Sequence, residues 1–335
     1  MIALDAHGAD RGAATVAEGA RLARVAVTLF GPASQLGAAC DEDWIEVVDS
    51  PLAIAAAEEP ARAARAKPEA SIVKAAVALA EGRAEALVSA GPTGAALAAS
   101  LFHVKRMKGV HRPAIAALVP VPGRPVLLLD AGANVEVRPE HLVQFAYMGA
   151  AFMEAVHGLE RPRVGLLSVG EEPQKGTPDV VEAHARLAAG TLDFVGNVEG
   201  QDLTAGAADV IVTDGFTGNV ALKALEGSSR AVVHAIRDAV RSGPVSSLGG
   251  LLIRGKISRL RQAIDPNTAG GAILLGLRGV VVIAHGGSSA EGIAAAIRVA
   301  RRAVDEGMVA RTTAALEDGA AMRSASAASV AHAHD

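Results

Sequence analysis

Short apolar runs, most of them closed by a polar, glycine-bearing loop, alternate along this chain with longer stretches of helical periodicity. The runs at 2–5, 25–30, 44–48, 86–89, 113–120, 126–129, 164–167, 194–195, 210–212 and 280–283 read as strands. Residues 15–24 are helical in pattern. Residues 53–82 read as mostly helix broken at Pro60 and Pro68, because proline lacks the amide hydrogen and crowds the preceding turn. Pro139 suits a first helical turn, and Leu142, Phe145, Gly149, Phe152, Met153 and Val156 then recur on one face. Near-continuous apolar strands separated by helices predict an α/β fold, a mostly parallel sheet flanked by helices on both faces. One folded unit, in one or two lobes about a cleft, is expected over 1–310. The Ala/Ser-rich stretch 311–335 is expected to be a frayed tail.

In open α/β sheets ligands collect beyond the carboxyl ends of strands. Those ends carry the chain's polar chemistry. The stretch 209–227, DVIVTDGFTGNVALKALEG, runs from a buried strand through a Gly-rich turn into a helix, with Lys223 one turn inside. Such a junction points free backbone N–H groups and a positive helix end outward, which suits an anion. Gly215, Thr217, Gly218 and Asn219 are its candidate binding residues. Sister loops add Asp5, Gly8 and Asp10; Ser89, Gly91, Thr93 and Gly94; Asp130 and Asn134; Glu171 with Lys175; Asn197 and Glu199; and His285 with Ser288. Asp5, Asp130 and Asp214 each close a strand, either capping backbone N–H groups or orienting a Lys or His in a cleft. His7 and His285 follow strands, where a near-neutral imidazole can bind phosphate or move a proton.

Composition narrows the ligand. Half of the 335 residues are hydrophobic but only 2% are aromatic, and the net charge is −4, so neither base-stacking platforms nor a field that gathers nucleic acid is expected. The chain lacks a Gly-x-Gly pair, so the dinucleotide fingerprint fails. GLLIRGK at 250–256 misses a phosphate loop, because Ile257 stands where a magnesium-binding hydroxyl belongs. No motif calls for a metal or another cofactor. Cys40 is the single cysteine, so an internal disulfide and a cysteine zinc site are excluded. Asp5 interrupts the N-terminal apolar run and no segment is long enough to span a bilayer, which predicts a cytoplasmic protein.

The segment 246–264, SSLGGLLIRGKISRLRQAI, is amphipathic: Ile253, Ile257 and Leu260 share a face, bordered by Lys256 on one side and by Arg254 and Arg261 on the other. Such a helix lies on an anionic membrane, receives an acidic partner, or packs against the body or a second subunit.

At these residues the chain resembles the bacterial phosphate acyltransferases of phospholipid synthesis. The matching segments are IALDAHGAD, LVSAGPTGA, LLLDAGANV, PEHLVQFAYMGA, RVGLLSVGEEPQKG, FVGNVEGQD, DGFTGNVALKALEG, GGAILLGLRGV and AHGGSSA, in order from Ile2 to about Ala290. The chain departs from the family's usual pattern at His7-Gly8-Ala9-Asp10, where Met-Gly-Gly-Asp is common, and at Pro92 and Ser168, where Asn is usual. The resemblance implies a fold similar to the isocitrate/isopropylmalate dehydrogenases. It implies transfer of an acyl group from acyl-acyl carrier protein to inorganic phosphate, and a homodimer. It also implies work at the inner face of the membrane, feeding a membrane glycerol-3-phosphate acyltransferase. Within that reaction the loops offer N–H groups at Gly91, Gly94, Gly215 and Gly218 for phosphate or oxyanion, charge from Lys175 and Lys223, and hydrogen bonds from His285 or Ser288. Cys40 precedes Asp41-Glu42-Asp43, a poor setting for a thiolate, so direct transfer without an acyl-enzyme is expected. An acidic carrier protein needs a basic patch; Lys105, Arg106, Lys108 and Arg112 form one candidate, the 254–261 segment another. The alternative is an NAD(P)-dependent dehydrogenase of the related fold.

Overall fold

The computed structural model describes residues 1–37, 41–119, 125–263 and 270–319, with residues 250 and 257–263 described by their backbone alone. Its centre is one eleven-stranded sheet. In chain order the strands are β1 (Ile2–Asp5), β2 (Val27–Gly31), β3 (Ile45–Asp49), β4 (Ala86–Ser89), β5 (Ala114–Val119), β6 (Val126–Leu129), β7 (Arg163–Leu167), β8 (Asp193–Val198), β9 (Val210–Val212), β10 (Ala272–Leu275) and β11 (Val280–Ile283). Across the sheet they lie as β3-β2-β1-β4-β11-β10-β5-β6-β9-β7-β8.

The five strands from β3 to β11 are mutually parallel, and so are the four from β6 to β8. Between the two groups β10 and β5 each run antiparallel to both of their neighbours. Three reversals in a row leave the two parallel groups pointing in opposite senses. The strand-end loops therefore do not form one ring. Those after β1, β4 and β11 leave one edge of the sheet, and those after β6, β7, β8 and β9 leave the other.

Alternation along the strands supplies two apolar faces. Ile2 and Leu4 join the larger core with helices α1 (Ala13–Ala23), α5 (Pro139–His157) and α10 (Ala290–Asp305), while Ala3 joins the opposite core with α3 (Ser71–Ala80) and α4 (Thr93–His103). Helix starts follow local chemistry. Pro60 is the first residue of α2 (Pro60–Ala66), where its missing N–H is harmless, and Glu59 caps that helix by accepting from the N–H groups of Ala61 (3.1 Å) and Arg62 (2.7 Å). Pro60 thus begins a helix where an interruption was expected, and 53–59 precede it as non-helical chain. Thr177 caps α6 (Pro178–Ala188) in the same way, and α7 (Asp202–Ala205) is a single turn.

Two further expectations change. The run Ala272–Leu275, bounded by Gly270, Gly271 and Gly276, is a central strand outside those expected from the apolar runs. Residues 308–319 are helical, with Thr312 buried and Gly319 against the Tyr147 ring, so the folded body extends beyond 310. Finally, α8 (Gly215–Arg241) and α9 (Pro244–Ala263) form a helical pair whose side chains, where described, are half-buried or exposed once the chain has passed Glu226. Among the described residues no helix is long and apolar enough to cross a membrane.

Candidate active site

Asp5, at the end of β1, sets the first group of loops. Its carboxylate is buried and accepts from the hydroxyls of Ser71 (2.6 Å) and Ser89 (2.7 Å); Ser89 Oγ in turn accepts from the Gly91 N–H (3.1 Å). Burial pushes the Asp5 carboxyl above its usual range, against the lowering effect of the two hydroxyls. The loops after β1 and β11 are tied by the Asp10 N–H to Gly286 O (3.0 Å), and those after β4 and β11 by the Ala284 N–H to Ser89 O (2.8 Å). Asp5, Gly8, Asp10, Ser89, Gly91, Thr93, Gly94, His285 and Ser288 are thereby one cluster. Ser288 is buried, whereas His285 is exposed and accepts at Nδ1 from the Gly287 N–H (3.1 Å). A neutral ring held so carries its hydrogen on Nε2. The α4 helix begins here at Thr93 behind Pro92, with no side-chain cap on its first N–H groups.

Asp130 organises the second group. One oxygen accepts from the N–H groups of Ile115 (2.9 Å), Gly132 (3.1 Å) and Ala133 (3.0 Å), the other from the N–H (2.7 Å) and Nδ2 (2.8 Å) of Asn134. Burial still pushes this carboxyl above its usual range. Asn134 also donates from Nδ2 to Pro113 O (2.8 Å) and accepts at its carbonyl from the Gly215 N–H (2.7 Å).

That last bond corrects the reading of the 214–219 turn. Gly215 donates to Asn134, Gly218 to Asp214 O (2.9 Å), and Thr217 to Asp214 Oδ1 (2.8 Å). Asp214 is the N-cap of α8, and the N–H groups of Gly215, Thr217 and Gly218 are all engaged. The glycines serve close packing instead: a Cβ on Gly218 would lie 1.9 Å from Asp130 O. The Gly91 N–H, engaged by Ser89, is likewise removed as a free donor. What α8 presents is one turn further on. Lys223 Nζ donates to Glu226 Oε2 at 3.0 Å, with the lysine half-exposed and the glutamate 8% exposed.

A cleft of about 400 Å³ joins the two groups across the face of β5 and β10. At one end stand Thr93, Gly94 and His285; at the other, Gly132, Asn219, Lys223 and Glu226. Between them the lining is apolar: Leu97 from α4, Leu222 from α8, and Ile115, Ala117, Ala272 and Ile283 from the sheet. Size and character suit an organic ligand held by a few polar groups.

Glu171, Lys175, Asn197 and Glu199 form a third group outside this cleft, at the sheet's edge on β8 and in the loops after β7 and β8. Strand β8 runs on to Val198, so Asn197 pairs with Leu166 within the ladder and does not stand in a loop after 194–195 as expected. Asn197 is buried, donating to Glu172 O (2.8 Å) and meeting His184 Nδ1 (2.9 Å); Lys175 is exposed, and Glu199 takes a hydrogen bond from Gln201 (3.2 Å). Lys175 is therefore not brought to Lys223 within one chain. Ile253, Arg254 and Lys256 are exposed on α9, and the side chains of Ile257, Leu260 and Arg261 lie outside the described residues, as does Cys40.

Beyond the Asp130 loop, a second cavity of about 540 Å³ is lined by Arg106, Arg112, Arg138, His111, His141, Glu136 and Glu140 among others. Ligand atoms of His111, Glu140 and His141 lie within 4.8 Å of one another. His141 Nδ1, however, accepts from the Arg138 N–H (3.1 Å), which leaves hydrogen on Nε2, and the arginines add positive charge. Both features oppose a cation. Burial also holds His141 below the usual histidine range.

A family described as fatty acid synthesis proteins matches residues 1–311. A phosphate acyltransferase of Anoxybacillus flavithermus is 44% identical over 310 residues, covering 90% of this chain and 94% of the relative. The chain belongs to the phosphate acyltransferase family. Among solved structures it is similar to a phosphotransacetylase from Streptococcus pyogenes, with a TM-score of 0.61 at 17% identity over 91% of this chain and 94% of that one. It is also similar to a structure from Salmonella typhimurium assigned as a 4-hydroxythreonine-4-phosphate dehydrogenase, with a TM-score of 0.51 at 15% identity over 90% and 98%. The last two show the fold alone, a mixed, mostly parallel sheet flanked by helices.

The places where the chain departs from the usual family pattern have visible neighbours. His7 Nδ1 is buried without a hydrogen-bond partner among the described residues; Pro92 is the N-cap of α4; Ser168 Oγ donates to Lys175 O (2.9 Å). Sequence reasoning missed Glu226 and the apolar floor. For Glu226 the available signal was its three-residue spacing from Lys223; for the floor it was the glycine-bounded Ala272–Leu275 run.

Proposed function

We propose that this acyltransferase moves a fatty acyl group from acyl-acyl carrier protein to inorganic phosphate, giving acyl phosphate for phospholipid synthesis. The observation that carries the reading is the cleft itself. In a member of this family, an apolar floor lies between two polar ends, as an acyl chain and a phosphate together require.

Phosphate near neutral pH is already largely ionised, so it needs holding rather than deprotonation. The uncapped N–H groups at the start of α4 and the Nε2–H of His285 offer donors at one end; Lys223, fixed by Glu226, offers charge at the other. A phosphate oxygen attacks the thioester carbonyl carbon. The C–O bond forms, the C–S bond breaks, and the carrier's sulfur leaves as a thiolate that takes a proton from water. Donors at the cleft mouth meet the oxyanion formed on the way. A thiol of ordinary pKa, about 8.5, leaves without a strong acid. Transfer is direct, in a ternary complex. Incubation with acyl-acyl carrier protein and phosphate should yield acyl phosphate with intersecting initial-rate lines. Ping-pong kinetics, or labelled acyl group trapped on the chain, would refute direct transfer; no acyl phosphate would refute the reaction.

Membership in this family favours transfer over the dehydrogenase alternative. The carrier protein is placed, in this reading, at the exposed basic group Lys105, Arg106, Lys108 and Arg112, which the Asn134–Pro113 bond ties to the Asp130 loop. The α8–α9 pair, with exposed Leu248, Leu251, Leu252 and Ile253 beside Arg254 and Lys256, supports attachment to the inner face of the membrane. There a homodimer would hand its product to a membrane glycerol-3-phosphate acyltransferase.

A further inference from the structure

Resting on the acyl-transfer reading, we infer that Ala117 and Ala272 form the seat of the acyl chain and limit its length. The two alanines face each other across the antiparallel β5–β10 pair. Residues directly opposed in a ladder point to the same side of the sheet, so the register defines a row. It runs Ile283 on β11, Ala272 on β10, Ala117 on β5 and Leu128 on β6. Two small side chains between two large ones make a trough in the middle of the sheet, at the floor of the cleft.

Its walls are Leu97 from α4 and Leu222 from α8, both half-buried, and Ile115 extends the floor along β5. None of these side chains can donate or accept a hydrogen bond, and the sheet backbone beneath them is committed to its ladder. A polar occupant such as the amide-bearing arm of a carrier would leave its own groups unpaired there. A hydrocarbon would not. Each methylene it buries adds affinity until the trough is full, so residues 117 and 272 decide where that gain stops.

The test uses the full chain and acyl carrier protein loaded with butyryl through palmitoyl groups. Ala117→Phe fills the trough, and the palmitoyl-to-butyryl ratio of kcat/KM should fall about tenfold or more, since pocket contacts of a methylene or so carry discrimination of that order. Ala117→Val should lower the ratio less, and Leu97→Ala, which widens the wall, should raise it. The two milder variants decide the matter if the phenylalanine does not fold. A ratio unchanged in them, or a loss equal at every chain length, overturns the seat. Calorimetric binding of non-transferable palmitoyl and butyryl ketone analogues of the acyl-pantetheine gives a readout that needs no turnover. Length-dependent binding that shifts with Ala117→Val in a chain forming no acyl phosphate would keep the seat and sink the transfer reading. Acyl phosphate formed with an unshifted ratio would do the reverse.

Discussion

At the scale of single residues, the cleft depends on charges whose partners were hidden from the sequence. Lys223 is legible as a lysine near the start of a helix; that buried Glu226 holds it is not. Lys223→Ala should lower kcat/KM for acyl phosphate formation by about a hundredfold if it meets developing charge. Glu226→Gln should give a smaller loss, while Lys223→Ala that leaves kcat/KM intact would remove the residue from the site. Asp5 yields a prediction about pH. Its folded pKa lies above 3.8, so between that value and the folded one the native chain binds more protons than the unfolded chain. Stability from this group therefore falls as pH rises through that window, and the deficit persists at neutrality. Asp5→Asn, which can still hydrogen-bond Ser71 and Ser89, removes the titration. The difference Tm(variant) minus Tm(parent) should grow from about pH 4 to about pH 7. A constant difference across that range would contradict the assignment.

At the scale of elements, the turn before α8 is a packed joint between two strands' loops. Asp214 caps the helix, so Asp214→Ala should cost about 1 kcal/mol in denaturant unfolding, the usual loss for an N-cap. Gly218→Ala should cost more, about 3 kcal/mol, because its Cβ meets the Asp130 backbone, which cannot yield as a flexible side chain would. Equal, small effects would deny that the joint is tight. The place of this turn is legible in the sequence and its use is not, since a free N–H and a bonded one look alike there. Candidates on one kind of loop were separated for the same reason: Lys175 follows a strand as Thr93 and Asn219 do, yet it stands beyond β7, outside the cleft.

At the scale of the whole molecule, two antiparallel strands in the middle of the sheet decide the architecture. They reverse the second parallel group, so one group of loops approaches the cleft from each edge and β5 with β10 becomes its floor. The long α8 leads from this cleft into the exposed α8–α9 pair. If that pair is the membrane face, replacing Ile253, Ile257 and Leu260 together with polar residues should release the chain from anionic vesicles while turnover continues. Flotation with vesicles measures it, and undiminished binding would refute the membrane role.

The sequence by itself determined most of the elements and the family. Apolar runs of strand length, glycine-bearing loops and helix starts are local properties, set by steric and hydrogen-bonding preferences within a few residues, and nine extended motifs survive as strings. Only the tertiary structure decided which loops meet. Strand direction in the centre, the engaged N–H groups of Gly215 and Gly218, the burial of Glu226 and the small-residue trough at Ala117 and Ala272 all depend on partners far away in the chain. Ala117 is an ordinary apolar residue until Ala272 lies opposite it, and register across strands is fixed by the packing of the whole sheet.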